Sequence, residues 1–153
     1  RGLLPEPERE FYISGDAFVK DWIIKVRNDV PDAPVLVTAG GLLHYFEENK
    51  VISLLRMIGQ SGNMEVVFDT VNKKGMAMMQ KKYMKQVGHA DAQMFFYVDA
   101  AKELAAKIRG NVKVIAEEPY YRYIPKNGLK LSTKVSMAVS DQFKMVKMIH
   151  LKL

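Results

Sequence analysis

Small and polar side chains suited to chemistry follow two short apolar runs in this 153-residue chain, at residues 35–37 and 66–68. The residues after the first run include Thr38, Ala39, Gly40, Gly41, His44 and Tyr45, and those after the second include Asp69 and Asn72. An imidazole can transfer protons, and glycines let a backbone turn sharply and approach a ligand closely. The spacing therefore predicts a binding or catalytic site where two strands end.

The two apolar runs and the segment between them form a strand–helix–strand pattern. Neither run alternates with polar residues, which is expected of strands covered on both faces of a parallel sheet. The helix between them has an apolar stripe formed by Val51, Leu54, Leu55 and Ile58. Ligands of such units bind beyond the carboxyl ends of the strands. The residues described above occupy those positions.

The remaining patterns predict strands and helices on both sides of this unit. Strands are predicted at residues 11–14, 112–116 and 143–153, and helices at 22–27, 73–87, 99–109 and 131–139. Asn72 and Asp99 are predicted helix N-caps, and residues 88–91 a linker. Residues 119–125 form an aromatic loop, and a short turn at 140–142 makes the last strand antiparallel to a neighbour. The alternating order of these strands and helices along the chain predicts an α/β layered domain.

Composition restricts the classes of protein that fit. The absence of cysteine excludes disulfides and thiolate metal sites and favours a cytoplasmic location. His44, His89 and His150 lack the spacing of metal ligands, so no metal is predicted. No apolar run approaches the roughly 20 residues that span a bilayer, so no membrane partner is predicted. The net charge of +6 is spread along the chain, which does not favour a nucleic-acid partner.

Residues 39–46, Ala-Gly-Gly-Leu-Leu-His-Tyr-Phe, followed by a helix and Val-Val-Phe-Asp-Thr at 66–70, resemble the leucine carboxyl methyltransferase family. This family of class I S-adenosylmethionine-dependent O-methyltransferases includes polyketide-tailoring enzymes of the tetracenomycin type. The likeness extends upstream through residues 4–10 and 13–18 and downstream to 149–153. The resemblance implies methyl transfer from S-adenosylmethionine to a carboxylate or phenol oxygen of a small molecule.

The resemblance also implies a Rossmann-like class I methyltransferase fold, with strand order 3-2-1-4-5-7-6, helices on both faces and an antiparallel last strand. The five strand segments, at residues 11–14, 35–38, 65–69, 112–116 and 143–153, match strands 3 to 7. Strands 1 and 2 and the Gly-rich loop have no counterpart. Their absence would expose the edge of strand 4, a pairing hazard. We therefore expect residues 1–153 to be the C-terminal part of a single methyltransferase domain, inactive alone.

Cofactor contacts follow from the same resemblance. Asp16 matches the acidic residue that holds the adenine amino group, although an Asp at this position would also suit a helix N-cap. The other expected contacts are Ala17, Phe18, Thr38, Ala39 and Gly40. Many family members have a glutamate where this chain has Gly40, so one polar contact of the family is missing.

The catalytic and acceptor-binding residues are less tightly specified. Tyr45 matches a family tyrosine expected to face the substrate or the sulfonium, and packing at a helix start explains it equally well. His44 is the first candidate base for a phenol acceptor, whereas a carboxylate acceptor needs no base. Asp69, Asn72, Tyr121 and Arg122 are expected to form the outer wall of an acceptor pocket. A nucleotide-binding oxidoreductase and a nucleic-acid-binding or non-catalytic Rossmann-like module remain the alternatives.

Overall fold

Four strands form one mixed sheet connected by helices. A computed structural model of the chain describes residues 12–83 and 93–153. The helices are α1 (Asp21–Asp29), α2 (Glu48–Gly59), α3 (Lys73–Met78), α4 (Ala101–Ile108) and α5 (Leu131–Gln142), with a 3₁₀ turn at Leu43–Tyr45 and a π-helical turn at Met79–Tyr83. The strands are β1 (Val35–Ala39), β2 (Met64–Val71), β3 (Lys113–Pro119) and β4 (Val146–Lys152).

The strand order confirms the predicted α/β topology. The order is β1-β2-β4-β3, with β1 parallel to β2 and β4 antiparallel to both of its neighbours. This arrangement corresponds to the 4-5-7-6 part of the predicted sheet, including its antiparallel last strand. Since β2 and β3 both run antiparallel to β4, they are parallel to each other. The carboxyl ends of β1, β2 and β3 therefore lie at one edge of the sheet.

The main core lies between one face of the sheet and the helices α2 and α4. Alternate residues of β2 and β4 share this face because side chains alternate along a strand, and the register places Val66 opposite Leu151 and Phe68 opposite Ile149. The buried helical residues that complete the core are Val51, Leu54, Leu55, Ile58, Ala101, Leu104 and Ile108. Full burial of each large aliphatic side chain contributes about 1.5–3 kcal/mol. This face is therefore the main source of stability.

The structure corrects the prediction that β1 is covered on both faces. Its residues alternate instead: Val35 and Val37 are half-buried against the core, whereas Leu36 is 56% exposed. Within the described residues β1 has a neighbouring strand only on the β2 side. An edge strand has fewer elements available to cover it, so one of its faces stays open.

The predicted strand at residues 11–14 is also absent from the described residues 12–14. A strand requires a hydrogen-bonded neighbour, and these residues have none in the sheet. Phe11 and residues 4–10 lie outside the described part of the chain, as do the linker at 88–91, His89 and the end of the helix predicted at 73–87. The described start of that helix is regular only to Met78 and then widens into the π-helical turn.

Asp99 caps a different helix from the one predicted. The N-cap of α4 is Ala100, without a side-chain bond, and Asp99 Oδ1 instead accepts a hydrogen bond of 2.9 Å from Lys73 N at the start of α3. A side chain of β3 provides the hydrogen-bond acceptor at the start of α4, because Ala101 N donates to Glu117 Oε2. Both bonds join residues far apart in sequence, which a local capping pattern does not reveal. Similarly, α5 continues to Gln142, through the turn predicted at 140–142.

Arg27 fixes the loops at the opposite edge of the sheet. Its Nε donates to Ser61 O at 2.8 Å and its Nη1 to Ala33 O at 2.7 Å, and its Nη2 donates to Gly62 O. A planar guanidinium can bond several carbonyls at once. It therefore connects the segment before β1 to the loop before β2. These bonds help to fix the position of β1 relative to β2 along the strand direction, and the carboxyl ends of these two strands carry the predicted site.

Candidate functional site

A cavity of about 290 Å³ lies beside the carboxyl-terminal half of β1. Three of the predicted cofactor contacts, Ala17, Thr38 and Ala39, line it. Most of the other lining residues are apolar and come from β1, α2, the 3₁₀ turn and the segment around α1. A mostly apolar cleft with a few polar groups at its margin is the usual form of a small-molecule site.

Asp16 lies next to Gly15, which lines the cavity. Its Oδ1 accepts a hydrogen bond of 2.9 Å from Phe18 N, so one carboxylate oxygen tightens the turn before α1. The N-cap of α1 is Lys20, which makes no side-chain capping bond. Asp16 therefore stabilises a turn and does not cap the helix that follows.

Phe18 holds the segment before α1 against the start of α2. Its ring meets that of Phe46 edge-on, with centroids 4.6 Å apart. Lys50 Nζ lies 4.4 Å from the centroid of the Phe18 ring and 5.2 Å from that of Phe46. Such cation–π contacts contribute about 0.5–1 kcal/mol at exposed sites. Neither Phe18 nor Phe46 is among the residues that line the cavity, so the structure does not bring Phe18 together with Ala17, Thr38 and Ala39 there.

Asp69 links the carboxyl ends of β1 and β2. Its Oδ1 accepts a hydrogen bond of 2.6 Å from Gly41 N. Gly41 has φ +64°, in the left-handed region that glycine adopts without steric cost. Gly40 has no atom within 4 Å of the position of an added Cβ, so a side chain would have room there. The glutamate of the resembled family is therefore not excluded by space.

His44 is buried beside this link. It is 7% exposed, and its Nδ1 is buried without a hydrogen-bond partner in the described part of the structure. Burial lowers the pKa of His44, and the carboxylate of Asp69 partly opposes that effect. Its ring centroid is 4.5 Å from that of Tyr45, whose side chain is exposed. A neutral imidazole can accept a proton, but Nδ1 is buried and His44 is not among the residues that line the cavity.

None of the four residues predicted to contact the acceptor, Asp69, Asn72, Tyr121 and Arg122, lines the cavity. Asn72 Oδ1 accepts from Gly75 N at 2.7 Å, which confirms it as the N-cap of α3, and its Nδ2 donates to Phe143 O at 3.0 Å. Tyr121 N donates to Asp141 Oδ1 at 3.0 Å. Asn72 and Tyr121 therefore both hold the carboxyl end of α5.

Arg122, in the turn after β3, forms an ion pair with Glu118 of that strand. Its Nη1 lies 2.7 Å from Glu118 Oε2, and its guanidinium lies 5.4 Å from the centroid of the Tyr123 ring. The bond to Glu118 raises the pKa of Arg122. The order β1-β2-β4-β3 places this pair two strands away from the β1–β2 link.

Sequence reasoning missed several apolar residues that line the cavity. Ile13, Trp22, Leu42 and Leu43 contribute to it. Trp22 belongs to the apolar stripe of α1, and its Nε1 donates to Ala17 O at 2.9 Å. Helical periodicity puts Trp22 on the apolar stripe of the helix predicted at 22–27 but could not show that the chain leaves space beside it.

The described residues contain neither a metal-binding cluster nor a helix that could span a membrane. Residues 12–83 and 93–153 contain no group of three or more His, Cys, Asp or Glu side chains placed to hold a metal ion. Among the helices in those ranges, none is long and apolar enough to cross a bilayer.

One known protein is similar to this chain in sequence, and one solved structure is similar to it in fold. No family model matches the chain. The chain is 32% identical to the S-adenosyl-L-methionine-dependent methyltransferase dpfgK of Gibberella zeae, over 69% of this chain and 38% of that protein. Its structure resembles a DUF574 family protein from Streptomyces avermitilis, with TM-score 0.60 and 10% identity, over 92% of this chain and 54% of the other. The structural likeness and the sheet order show a Rossmann-like α/β fold.

Proposed function

We propose that this chain belongs to an S-adenosylmethionine-dependent methyltransferase that methylates a carboxylate or phenol oxygen of a small molecule. The observation that carries the proposal is the 32% identity to a methyltransferase of that cofactor class. The cavity beside β1 supports it, because three residues expected to contact the cofactor line one cleft. Since the chain spans 38% of that relative, we also propose that it is the C-terminal part of a longer methyltransferase domain.

The residues around the cavity fit an adenosyl group. Ala17, Thr38 and Ala39 provide a mainly apolar wall for a planar ring. Asp16 lies at the margin of this wall, where a carboxylate could accept a hydrogen bond from an exocyclic amine. Gly40 and Gly41 leave open space where a ligand would approach the backbone. The bound cofactor supplies an electrophilic methyl group, and the protein aligns the acceptor oxygen and excludes water.

His44 is the residue we propose as proton acceptor for a phenol. An unperturbed phenol has a pKa of about 10 and is mostly protonated at neutral pH, so a base assists its reaction. The lowered pKa of His44 favours its neutral form at neutral pH, and its Nδ1, although buried, has no hydrogen-bond partner among the described residues. For a carboxylate acceptor, already ionised at neutral pH, the same site needs only to orient the oxygen.

The cofactor assignment predicts a thermal shift with S-adenosylhomocysteine. At about 100 times its Kd the ligand should add roughly 2.7 kcal/mol to the free energy of unfolding. We expect the Asp16→Asn variant, which keeps the Oδ1 acceptor for Phe18 N, to raise the Kd about tenfold because a charged hydrogen bond is weakened. The measurement is a melting-temperature titration, on this chain and on the longer protein that we propose contains it.

Asp32→Asn is the matched control, because Asp32 is also exposed and belongs to the connector before β1. It should bind S-adenosylhomocysteine as the wild type does. Absence of a shift in both the chain and the longer protein would remove the methyltransferase proposal. If S-adenosylhomocysteine shifts the melting temperature of both proteins and the Asp16→Asn variant shows the same shift, Asp16 does not contact the cofactor, but the cofactor assignment stands.

The electrostatic environment of His44 gives a second prediction. Because burial lowers its pKa, His44 should titrate below the ordinary value of about 6.5, which an NMR titration of its ring protons can measure. The Asp69→Asn variant should lower that pKa further, since the carboxylate favours the protonated ring. The Asn Oδ1 can still accept from Gly41 N, and Asp32→Asn serves as the control. An unchanged pKa in Asp69→Asn would contradict the coupling.

A further inference from the structure

The outer side of α5 is apolar and exposed. Leu131, Val135 and Val139 recur every four residues and therefore share one side of the helix, and Phe143 follows at the same spacing at its C-cap. The exposed fractions of these four side chains are 78%, 54%, 46% and 62%. We call these four residues the α5 stripe.

α5 exposes more apolar surface than it buries. Its buried residues are only Met137 and Ser140, on the side opposite the stripe, whereas all four stripe residues of α2 are buried in the core. Contact between apolar surface and water is unfavourable. Contiguous exposed apolar surface that is bordered by polar residues marks an interaction site.

Positive charge surrounds the α5 stripe. Residues 120–145 contain five basic side chains and one acidic one; Arg122 is paired with Glu118, so the charge next to the stripe comes from the four lysines Lys126, Lys130, Lys134 and Lys144. Lys130 and Lys134 each precede a stripe residue by one position, which places them about 100° around the helix. Neither they nor Lys126 and Lys144 form an ion pair within 4 Å in the described residues. The acidic residue, Asp141, is hydrogen-bonded to Tyr121 N.

We propose that the α5 stripe docks this protein onto an anionic lipid surface. A stable protein–protein interface requires about 800 Å² per partner and is depleted in lysine. The stripe is one side of a 12-residue helix about 18 Å long, and lysines flank it. Exposed apolar side chains of a surface helix can enter the headgroup region, and lysines next to them are attracted by the negative potential of anionic lipid. Such binding needs no membrane-spanning run.

The topology places the carboxyl end of α5 at the same edge of the sheet as the candidate site, although α5 packs on β3 and β4 and the cavity lies beside β1. α5 leaves the carboxyl end of β3, at the same edge of the sheet as the link between Gly41 and Asp69. Asn72 and Tyr121 hold its carboxyl end against the ends of β2 and β3. A docked molecule would therefore have this edge close to lipid. If the proposed function holds, the acceptor would be an apolar compound that partitions into the membrane.

Vesicle co-sedimentation tests the docking. The protein should pellet with phosphatidylcholine vesicles containing about 30% phosphatidylserine, pellet weakly with phosphatidylcholine alone, and be released by salt. We expect the Leu131→Ser, Phe143→Ser double variant to weaken binding about tenfold or more, because it removes apolar insertion. Lys130→Gln with Lys134→Gln should weaken binding to the anionic vesicles about tenfold.

Matched controls are available on α1. Val19 and Ile24, just before and within that helix, are each 47% exposed, so the Val19→Ser, Ile24→Ser double variant replaces two exposed apolar side chains as the stripe variant does, and Lys20→Gln with Lys25→Gln lowers the net charge by the same amount as the stripe lysine variant. Both controls should bind the vesicles as the wild type does. Equal binding by the stripe variants and the controls would overturn the proposal, as would no vesicle binding at all. Concentration-dependent dimerisation that the stripe variant abolishes would also overturn it, in favour of an interface with a second copy. Binding of S-adenosylhomocysteine is measured separately, so failure here leaves the cofactor proposal intact.

Discussion

Replacing Lys147 with methionine is expected to lower the free energy of unfolding by about 3–5 kcal/mol. Lys147 is 1% exposed, and its Nζ donates to Glu117 Oε1 at 2.6 Å and to Asp99 O at 2.7 Å. Without the ammonium group, the Glu117 carboxylate would remain partly buried with no compensating charge. Methionine preserves most of the side-chain volume, so urea unfolding would report mainly the loss of the charge.

Two further variants separate the charge from packing. Lys147→Met combined with Glu117→Gln should recover much of the loss, because removing both partners leaves no unpaired charge. Lys113→Met, at an exposed position of β3, should change stability by less than about 0.5 kcal/mol. A double variant as unstable as Lys147→Met would show that the pairing is not the cause.

The same pair predicts how stability depends on pH. Burial of Glu117 raises its pKa, but the bonds from Lys147 and from Ala101 N outweigh this effect, so the pKa is lowered overall. A carboxyl group with a lowered pKa in the folded state stabilises the protein above its unfolded value of about 4.3. That contribution is lost as pH falls through the folded value. The wild type should therefore lose more stability than Glu117→Gln on acidification below about pH 4.3.

Gly75→Ala should be the second strongly destabilising change, by about 3 kcal/mol. A Cβ at this position would lie 2.4 Å from Met145 O, a backbone atom that cannot rotate away. Alanine in a helix interior normally stabilises by up to about 1 kcal/mol relative to glycine. The steric clash therefore reverses the usual sign. Thermal unfolding monitored by circular dichroism would measure it.

Gly40→Ala is the control for that substitution. No atom lies within 4 Å of the Cβ it would add, and Gly40 is not in the left-handed region. Its melting temperature should match the wild type or rise slightly, since alanine reduces the freedom of the unfolded chain. If Gly75→Ala were tolerated as well as Gly40→Ala, the close contact between α3 and the backbone just before Val146 would not be important for stability.

The strand–helix–strand unit could be predicted from sequence because its information is local. Apolar runs at residues 35–37 and 66–68 and the spacing from Val51 to Ile58 specify the two strands and the helix directly. The N-cap at Asn72 was predictable for the same reason, because its acceptor serves Gly75 N three residues later. The antiparallel last strand was also predicted, although the turn assigned to it belongs to α5.

Non-local contacts explain most of what the sequence did not show. Lys147, Glu117 and Asp99 come from β4, β3 and the start of α4, and no periodicity marks them as partners. The exposure of Leu36 depends on which strands flank β1, not on its apolar neighbours. Thr38 and Ala39, which line the cavity, could be singled out from their place at the end of an apolar run, whereas the bond of Asp69 to Gly41 required the parallel register of β1 and β2.

The central position of β4 has a consequence for synthesis on the ribosome. β2 and β3 do not touch each other, and each pairs with β4. At 5–20 residues per second, roughly 4–16 s separate completion of β2 from that of β4. Throughout that interval the nascent chain carries an unpaired strand edge on β2, and later one on β3, which invites chaperones or intermolecular pairing. Only the arrival of residues 146–152 closes both edges in a single step.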